Sequence, residues 1–234
     1  MFWKKKKKPE EEFQTLYYSE EEIAALEAHI VKHFGEFKNV LHEIVSPDIH
    51  VDIAVIDPTP ERNYYTLVTM GMGAHRMNVP SEISQHRLER AEVMACLPPD
   101  WDIQSHDEKC YWPLRWLKIL ARLPIENNTW LGWGHTIPNG AGADPFAENT
   151  KLGCIMLLGP GLFEQEAAIC EMADGSCVNF YQMMPLHADE MNYKLENNHQ
   201  AEPLLERIYE TEGAAAEDFL VVDINRPSIF GNQT

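Results

Sequence analysis

A chain of 234 residues with a formal net charge of −18 is long enough to bury a substantial core, and too acidic to hold a nucleic-acid backbone, whose phosphates it would repel. Its 44% hydrophobic content excludes a disordered chain, and no apolar run reaches the roughly 18 residues of a membrane span. Five of the 19 basic residues sit in one run, Lys4–Lys8, so the remaining body is more acidic than the total and suited to fast encounter with a basic protein.

Residues 1–18 read as a tail and residues 19–234 as one domain. Lys4–Lys8 is followed by Pro9 and Glu10–Glu12 instead of an apolar stretch, so it is not a secretory signal. Phe2, Trp3 and the lysines have the composition of a lipid-surface contact, which the acidic residues after them weaken. A solvated terminus without stable membrane insertion is expected. The cysteines (Cys96, Cys110, Cys154, Cys170, Cys177) are odd in number and lack a C-x-x-C pair. They read as reduced thiols of a cytoplasmic protein, with neither a disulfide framework nor a zinc site.

Ser19 and Glu22 form a capping box ahead of a helical stripe of Ile23, Leu26, Ile30 and Phe34, which Gly35 ends. Two strands follow, Asn39–Ser46 and Ile49–Ile56, around Pro47-Asp48. In the second, Ile49, Val51, Ile53 and Val55 alternate toward one face, leaving His50 and Asp52 on the other. Asn63–Met70 reads as a strand running into a glycine bend at Gly71–Gly73, and Leu88–Leu97 as a strand ending at Pro98-Pro99. Tyr111–Pro138 holds four of the six tryptophans. It predicts a helix with Pro113 in its first turn and Trp116, Leu117, Leu120 and Leu123 on one stripe, ended by Pro124. A turn at Asn127-Asn128 and a strand over Thr129–Ile137 follow. Asn139–Asn149 is a polar loop and Leu152–Leu158 a buried strand. Asp174-Gly175 has the pair that a type I′ hairpin turn demands. Ala188–Asn197 and Pro203–Glu210 read as helices, and Phe219–Ile224 as a last strand. The fold class expected is α+β, a mixed and largely antiparallel sheet packed with helices.

No catalytic set is evident. There is no H-E-x-x-H, no G-x-S-x-G and no phosphate loop at Gly71–Gly73. A metal-assisted hydrolase would draw on His50, Asp52, His75, His135, His187 and Asp189, where His50 and Asp52 share an H-x-D spacing with His187 and Asp189. The residues expected to meet a partner are carboxylates: Asp100, Asp102, Asp107 and Glu108 in one loop, and Glu164 and Glu166 ahead of the hairpin. No cofactor is implied.

Six pieces in order carry a resemblance. T-L-V-T-M-G-M-G at 66–73 comes first, then R-A-E-V-M-A-C-L-P at 90–98 and W-P-x-x-x-L-x-x-L-A at 112–121. G-W-G-H at 132–135 follows, then V-N-F-Y-Q-M-M-P-L leading into A-D-E-M over 178–191, and F-L-V-V-D-I-N-R at 219–226. Together they resemble the Suppressor of Fused domain in its stand-alone bacterial form, over roughly residue 20 to the C-terminus. The resemblance implies a mixed α/β domain with a non-enzymatic, protein-binding role. The animal member accepts an extended peptide between two domains. This chain stops after the equivalent of the first, so no binding residue carries over. Bacterial members are associated with toxin systems as immunity proteins, which implies a basic toxin domain as partner.

Overall fold

The computed structural model describes residues 15–210 and 215–231. Phe2, Trp3 and Lys4–Lys8 lie outside the described residues.

One eight-stranded sheet organises the described chain. Its strands are β1 (Asn39–Leu41), β2 (Asp52–Ile56), β3 (Tyr65–Met70), β4 (Ala91–Leu97), β5 (Thr136–Pro138), β6 (Cys154–Leu158), β7 (Ile169–Glu171) and β8 (Cys177–Leu186). They run in the order β1-β2-β3-β4-β8-β6-β5, with β7 paired to β8 off that path. β4 and β8 pair in parallel, and the other pairs are antiparallel. Helices α1 (Glu20–His33), α2 (Glu108–Asn127), α3 (Ala188–Glu196), α4 (Glu202–Tyr209) and α5 (Glu217–Leu220) cover it. The architecture is the expected single α+β domain.

The period-2 pattern of β2 decides which helix lies on which face. Ile53 and Val55 join Ile49, Val51 and the buried stripe Trp112, Trp116, Leu117 and Leu120 of α2. Ala54 and Ile56 point the other way, into a second core with Leu26 and Ile30 of α1 and Phe34 just past its end. β4 and β8 are buried along their whole length because both faces are covered. A third cluster packs α3, α4 and α5 over Met156, Leu158, Met184 and Leu186.

The capping box of α1 forms as expected, with Ser19 accepting from the Glu22 N–H and Glu22 reaching back to Ser19. Several boundaries move. Residues 15–18, expected in the tail, are tied to the domain: Leu16 exchanges backbone bonds with Asp48 and His50 at 2.7 and 3.0 Å, and Thr15 Oγ1 donates to the Ser46 carbonyl at 2.8 Å. α2 starts before Pro113, because Asp107 accepts from the Lys109 N–H at 3.0 Å and caps the helix there. Pro113 then sits inside, where it has no N–H for the Lys109 carbonyl, and Asn149 Nδ2 donates to that oxygen instead at 3.1 Å. Pro124 does not end the helix either; it closes at Asn128, left-handed at φ 48°.

Of the strand expected over 129–137, only Thr136–Pro138 pairs, since the chain turns at Gly134 with φ 78°. Phe219–Ile224 is not a strand. It gives the end of α5 and then one isolated bridge, Val221 to Cys96. At the β7–β8 hairpin only Gly175 has positive φ, so the turn is not type I′. Gly175 N–H bonds to the Met172 carbonyl and Met172 N–H to Ser176, with Asp174 accepting from Ser176. That is a type I turn followed by a left-handed glycine.

Candidate protein-interaction surface

Two clefts flank the C-terminal segment 221–228. The larger, about 730 Å³, lies between residues 148–151, the start of α3 at His187–Asp189, and residues 224–231. The second, about 480 Å³, lies between Asn63-Tyr64, Pro98-Pro99 and the Glu217–Asp223 stretch. Arg226 and Pro227 line both and form the ridge between them.

The ridge is held from beneath. Arg226 makes a two-pronged bond to buried Glu190 of α3, at 2.6 and 2.7 Å, and donates to the Pro185 carbonyl at 3.0 Å. Glu190 also accepts from the His187 and Ile229 N–H groups. His187 Nε2 meets the Arg226 carbonyl at 2.8 Å, and Thr150 Oγ1 donates to the Ile224 carbonyl at 3.0 Å. The guanidinium is thus spent internally and offers no free charge to the clefts. Asn149 lines the larger cleft, and its buried Oδ1 has no hydrogen-bond partner among the described residues.

The carboxylates singled out in the sequence fall in two places. Asp100, Asp102, Asp107 and Glu108 are exposed on the stretch between β4 and α2. That stretch abuts the larger cleft, where Lys109 touches both Glu148, at 3.5 Å, and Asn149. Asp107 is spent on the helix cap, and Glu108 pairs with Arg115 at 2.8 Å. Glu164 and Glu166 sit instead on the α1 side of the sheet. Hydrogen bonds from its own backbone N–H and from His33 hold the Glu164 carboxyl below its ordinary value. Sequence reasoning missed Glu148, Glu217, Asp218 and Asp223, which rim the two clefts, and it read Asp189, also on the rim, only as a metal candidate. Nothing in their spacing shows that three distant segments converge.

The six residues proposed for a metal site do not converge. His50 Nε2 and Asp52 Oδ1 meet at 3.1 Å, and Asp52 also takes His42 at 2.8 Å. His187 and Asp189 lie at the α3 start, and His135 packs edge-on to Trp130. His75 and His135 are both pushed down by burial. Among the described residues no group of three or more His, Cys, Asp or Glu side chains has metal-binding geometry. Ser46, His50 and Asp52 do stand in a row, with Ser46 Oγ 2.8 Å from His50 Nδ1. The Ser46 hydroxyl donates to Glu43 at 2.7 Å, however, and Arg122 holds Glu43 and Asp48. The row braces the β1–β2 connection.

The chain is 27% identical over 214 residues to an uncharacterized protein of Ureaplasma parvum serovar 3, covering 90% of this chain and 96% of that one. Its fold matches the crystal structure of a suppressor of fused homologue from Neisseria gonorrhoeae with TM-score 0.58 at 19% identity, over 88% of this chain and 93% of that one. A Sufu–Fu complex matches with TM-score 0.57 at 15% identity, over 89% and 90%. Drosophila Suppressor of Fused matches with TM-score 0.52 at 15% identity, over 89% of this chain but 50% of the longer fly chain. The family model of the Suppressor of fused protein matches residues 47–227, so the chain belongs to the Suppressor of fused family.

Proposed function

We propose that this protein is a non-enzymatic binding domain that takes a basic protein segment along the two clefts and the acidic loop beside them. The observation that carries the reading is the excess of carboxylates there. Asp100, Asp102, Glu148, Asp218 and Asp223 are exposed around the ridge and outnumber the exposed Lys109 and Lys151 beside them, while the guanidinium in the ridge is consumed by Glu190. A surface with a net excess of one sign speeds encounter with a partner of the other, and the clefts supply buried area to hold it. Family membership and the likeness to a Sufu–Fu complex support a protein as the ligand. The finer reading is an immunity protein that neutralises a basic toxin domain in the cytoplasm. Glu164 and Glu166, on the other face, add only to the long-range field.

The test is a pull-down from lysate of the source organism at low and high salt, followed by association kinetics with the captured protein. The variant is D100N/D102N/E108Q, which spares the helix cap at Asp107. A basic partner whose association rate falls with salt, and falls roughly tenfold or more in the variant, is the expected result. A rate indifferent to both salt and the substitutions would reject the acidic surface.

A further inference from the structure

Ser46, His50 and Asp52 are one proton short if His50 is neutral. The Ser46 hydroxyl has a single hydrogen, and it goes to Glu43 Oε2 at 2.7 Å. Arg122 grips both Glu43 oxygens, at 2.7 and 2.6 Å, and a carboxylate so held only accepts. His50 Nδ1 lies 2.8 Å from the same Ser46 oxygen, so the ring nitrogen must donate there. His50 Nε2 lies 3.1 Å from Asp52 Oδ1, where a bare nitrogen would set its lone pair against a carboxylate oxygen. Asp52 is an acceptor as well, taking the Glu43 N–H at 2.9 Å and meeting His42 Nδ1 at 2.8 Å. Both ring nitrogens of His50 therefore carry hydrogen, and the ring is an imidazolium.

The surrounding charge favours that form. Glu43, Asp48 and Asp52 are nearly buried carboxylates, and Arg122 of α2 holds the first two. His42 is exposed on the far side of Asp52, and His75, past the glycine bend, feels the Asp48 charge. From α1, Glu27 lines the same recess, as does Tyr18 ahead of it, whose hydroxyl is turned to Glu92. A cation at His50 brings this acidic group closer to neutrality.

The ring also fastens the chain that enters the domain. Tyr17 stacks on it with ring centroids 5.2 Å apart at 26°, a contact that a cation strengthens. The His50 N–H donates to the Leu16 carbonyl at 3.0 Å and the Leu16 N–H to the Asp48 carbonyl at 2.7 Å, while Thr15 donates to the Ser46 carbonyl. Residues 15–17 are thus bonded to the residues whose arrangement depends on the His50 proton. We infer that His50 is a proton-operated latch: as an imidazolium it locks the β1–β2 connection and clamps residues 15–17 against it. When the proton leaves, either the Ser46 bond or the Asp52 contact is lost and the clamp loosens. The clamp is therefore firm on the acidic side of the His50 titration and weakens as pH rises through it.

Nitrogen-15 NMR of the full chain reads the ring protons. Amide hydrogen exchange, expressed at each pH as protection relative to the unfolded chain, reads the clamp at Leu16. Both are followed from about pH 5.5 upward until His50 gives up a proton, which starts below the ordinary histidine value of about 6.5. The variants are His50→Gln, which has no proton to lose there, and His42→Gln, which keeps the latch. In the parent, Leu16 protection should fall roughly fivefold or more, with the same midpoint as the loss of the His50 proton. His42→Gln should keep that step and His50→Gln should lack it. Protection of Leu16 that persists after His50 has lost its proton would overturn the inference, a result the parent gives even if His50→Gln does not fold. So would a step that survives in His50→Gln, or one that vanishes in His42→Gln, which would hand the titration to His42.

Discussion

Glu92 in β4 and Glu190 in α3 are both fully buried carboxylates, and the molecule satisfies them in opposite ways. Among the described residues Glu92 has no counter-charge within bonding distance. Thr69 and Tyr18 hydroxyls donate to it at 2.6 and 2.7 Å, and the N–H groups of Gly71, Met72 and Gly73 at 3.0, 3.3 and 3.1 Å. Glu190 is neutralised outright by Arg226. Each carboxylate fastens chain that the sheet itself does not hold. Glu92 gathers the glycine bend and the entering residues 15–18, while Glu190 gathers the ridge between the clefts. The difference lies in what remains when the tie is cut: neutral donors in the first place, a buried charge in the second. A charge stranded without its partner costs far more than a stranded N–H.

The largest effect is therefore expected at Arg226. Arg226→Ala should lower unfolding stability by about 3–5 kcal/mol, the range for removing one partner of a buried pair. Replacing both partners, as E190L/R226M, should recover much of that loss. Urea unfolding of the three proteins measures it. If the single and double variants lose equally, the charge is not what makes the single change costly. The pull-down partner should also be lost in R226A, because the ridge separating the clefts is untied.

Glu92→Gln comes next. The amide keeps the shape but presents an NH₂ to donors that already point inward, at about 1–3 kcal/mol for the groups left unpaired. Tyr18→Phe removes a single hydroxyl from the same nest and should cost about 1 kcal/mol. Cleavage near residues 15–18 under limited proteolysis should rise in both, since Tyr18 ties that segment to β4.

The two sites were unequally legible in the sequence. The elements around them followed from local pattern: the period of β2, the capping box at Ser19 and the apolar run of β6 each read correctly because neighbours in sequence set them. The pieces that carried the family resemblance contain both ties, with Gly71–Gly73 and Glu92 in one pair of motifs and Glu190 and Arg226 in another. Yet their pairing was invisible, since 36 residues separate Glu190 from Arg226 and no periodicity joins them. Glu92 did leave a trace, a lone carboxylate inside the buried strand A-E-V-M-A-C-L. The boundaries that differ do so for two reasons. At Pro113 a tertiary partner, Asn149, takes the carbonyl that the proline cannot; at Pro124 and Asp174-Gly175 the deciding bonds are themselves local, the left-handed cap at Asn128 and the bond from Ser176 to Asp174. The cleft carboxylates were missed because convergence of three segments is a property of topology.

The acid–base behaviour of Glu92 sharpens the comparison last. Burial pushes its carboxyl up from the ordinary value, and the hydrogen bonds from Thr69, Gly71, Tyr18 and Gly73 pull against that shift without reversing it. A folded pKa above the unfolded value of about 4.3 means the folded protein binds more protons than the unfolded chain in the window between them. The group's contribution is then fully present below about pH 4.3 and is lost as pH rises through the window to the folded pKa. Other acids slope the opposite way: Glu171 and Asp174 are held low by Arg87 and Ser176, so the whole-protein profile hides the term. The difference between parent and E92Q isolates it. Unfolding free energies measured from pH 4 upward should show the parent's advantage over E92Q shrinking as pH rises. An advantage that grows instead would mean that the five donors outweigh burial, and that a nest of neutral groups can hold a carboxylate ionised as firmly as an arginine does.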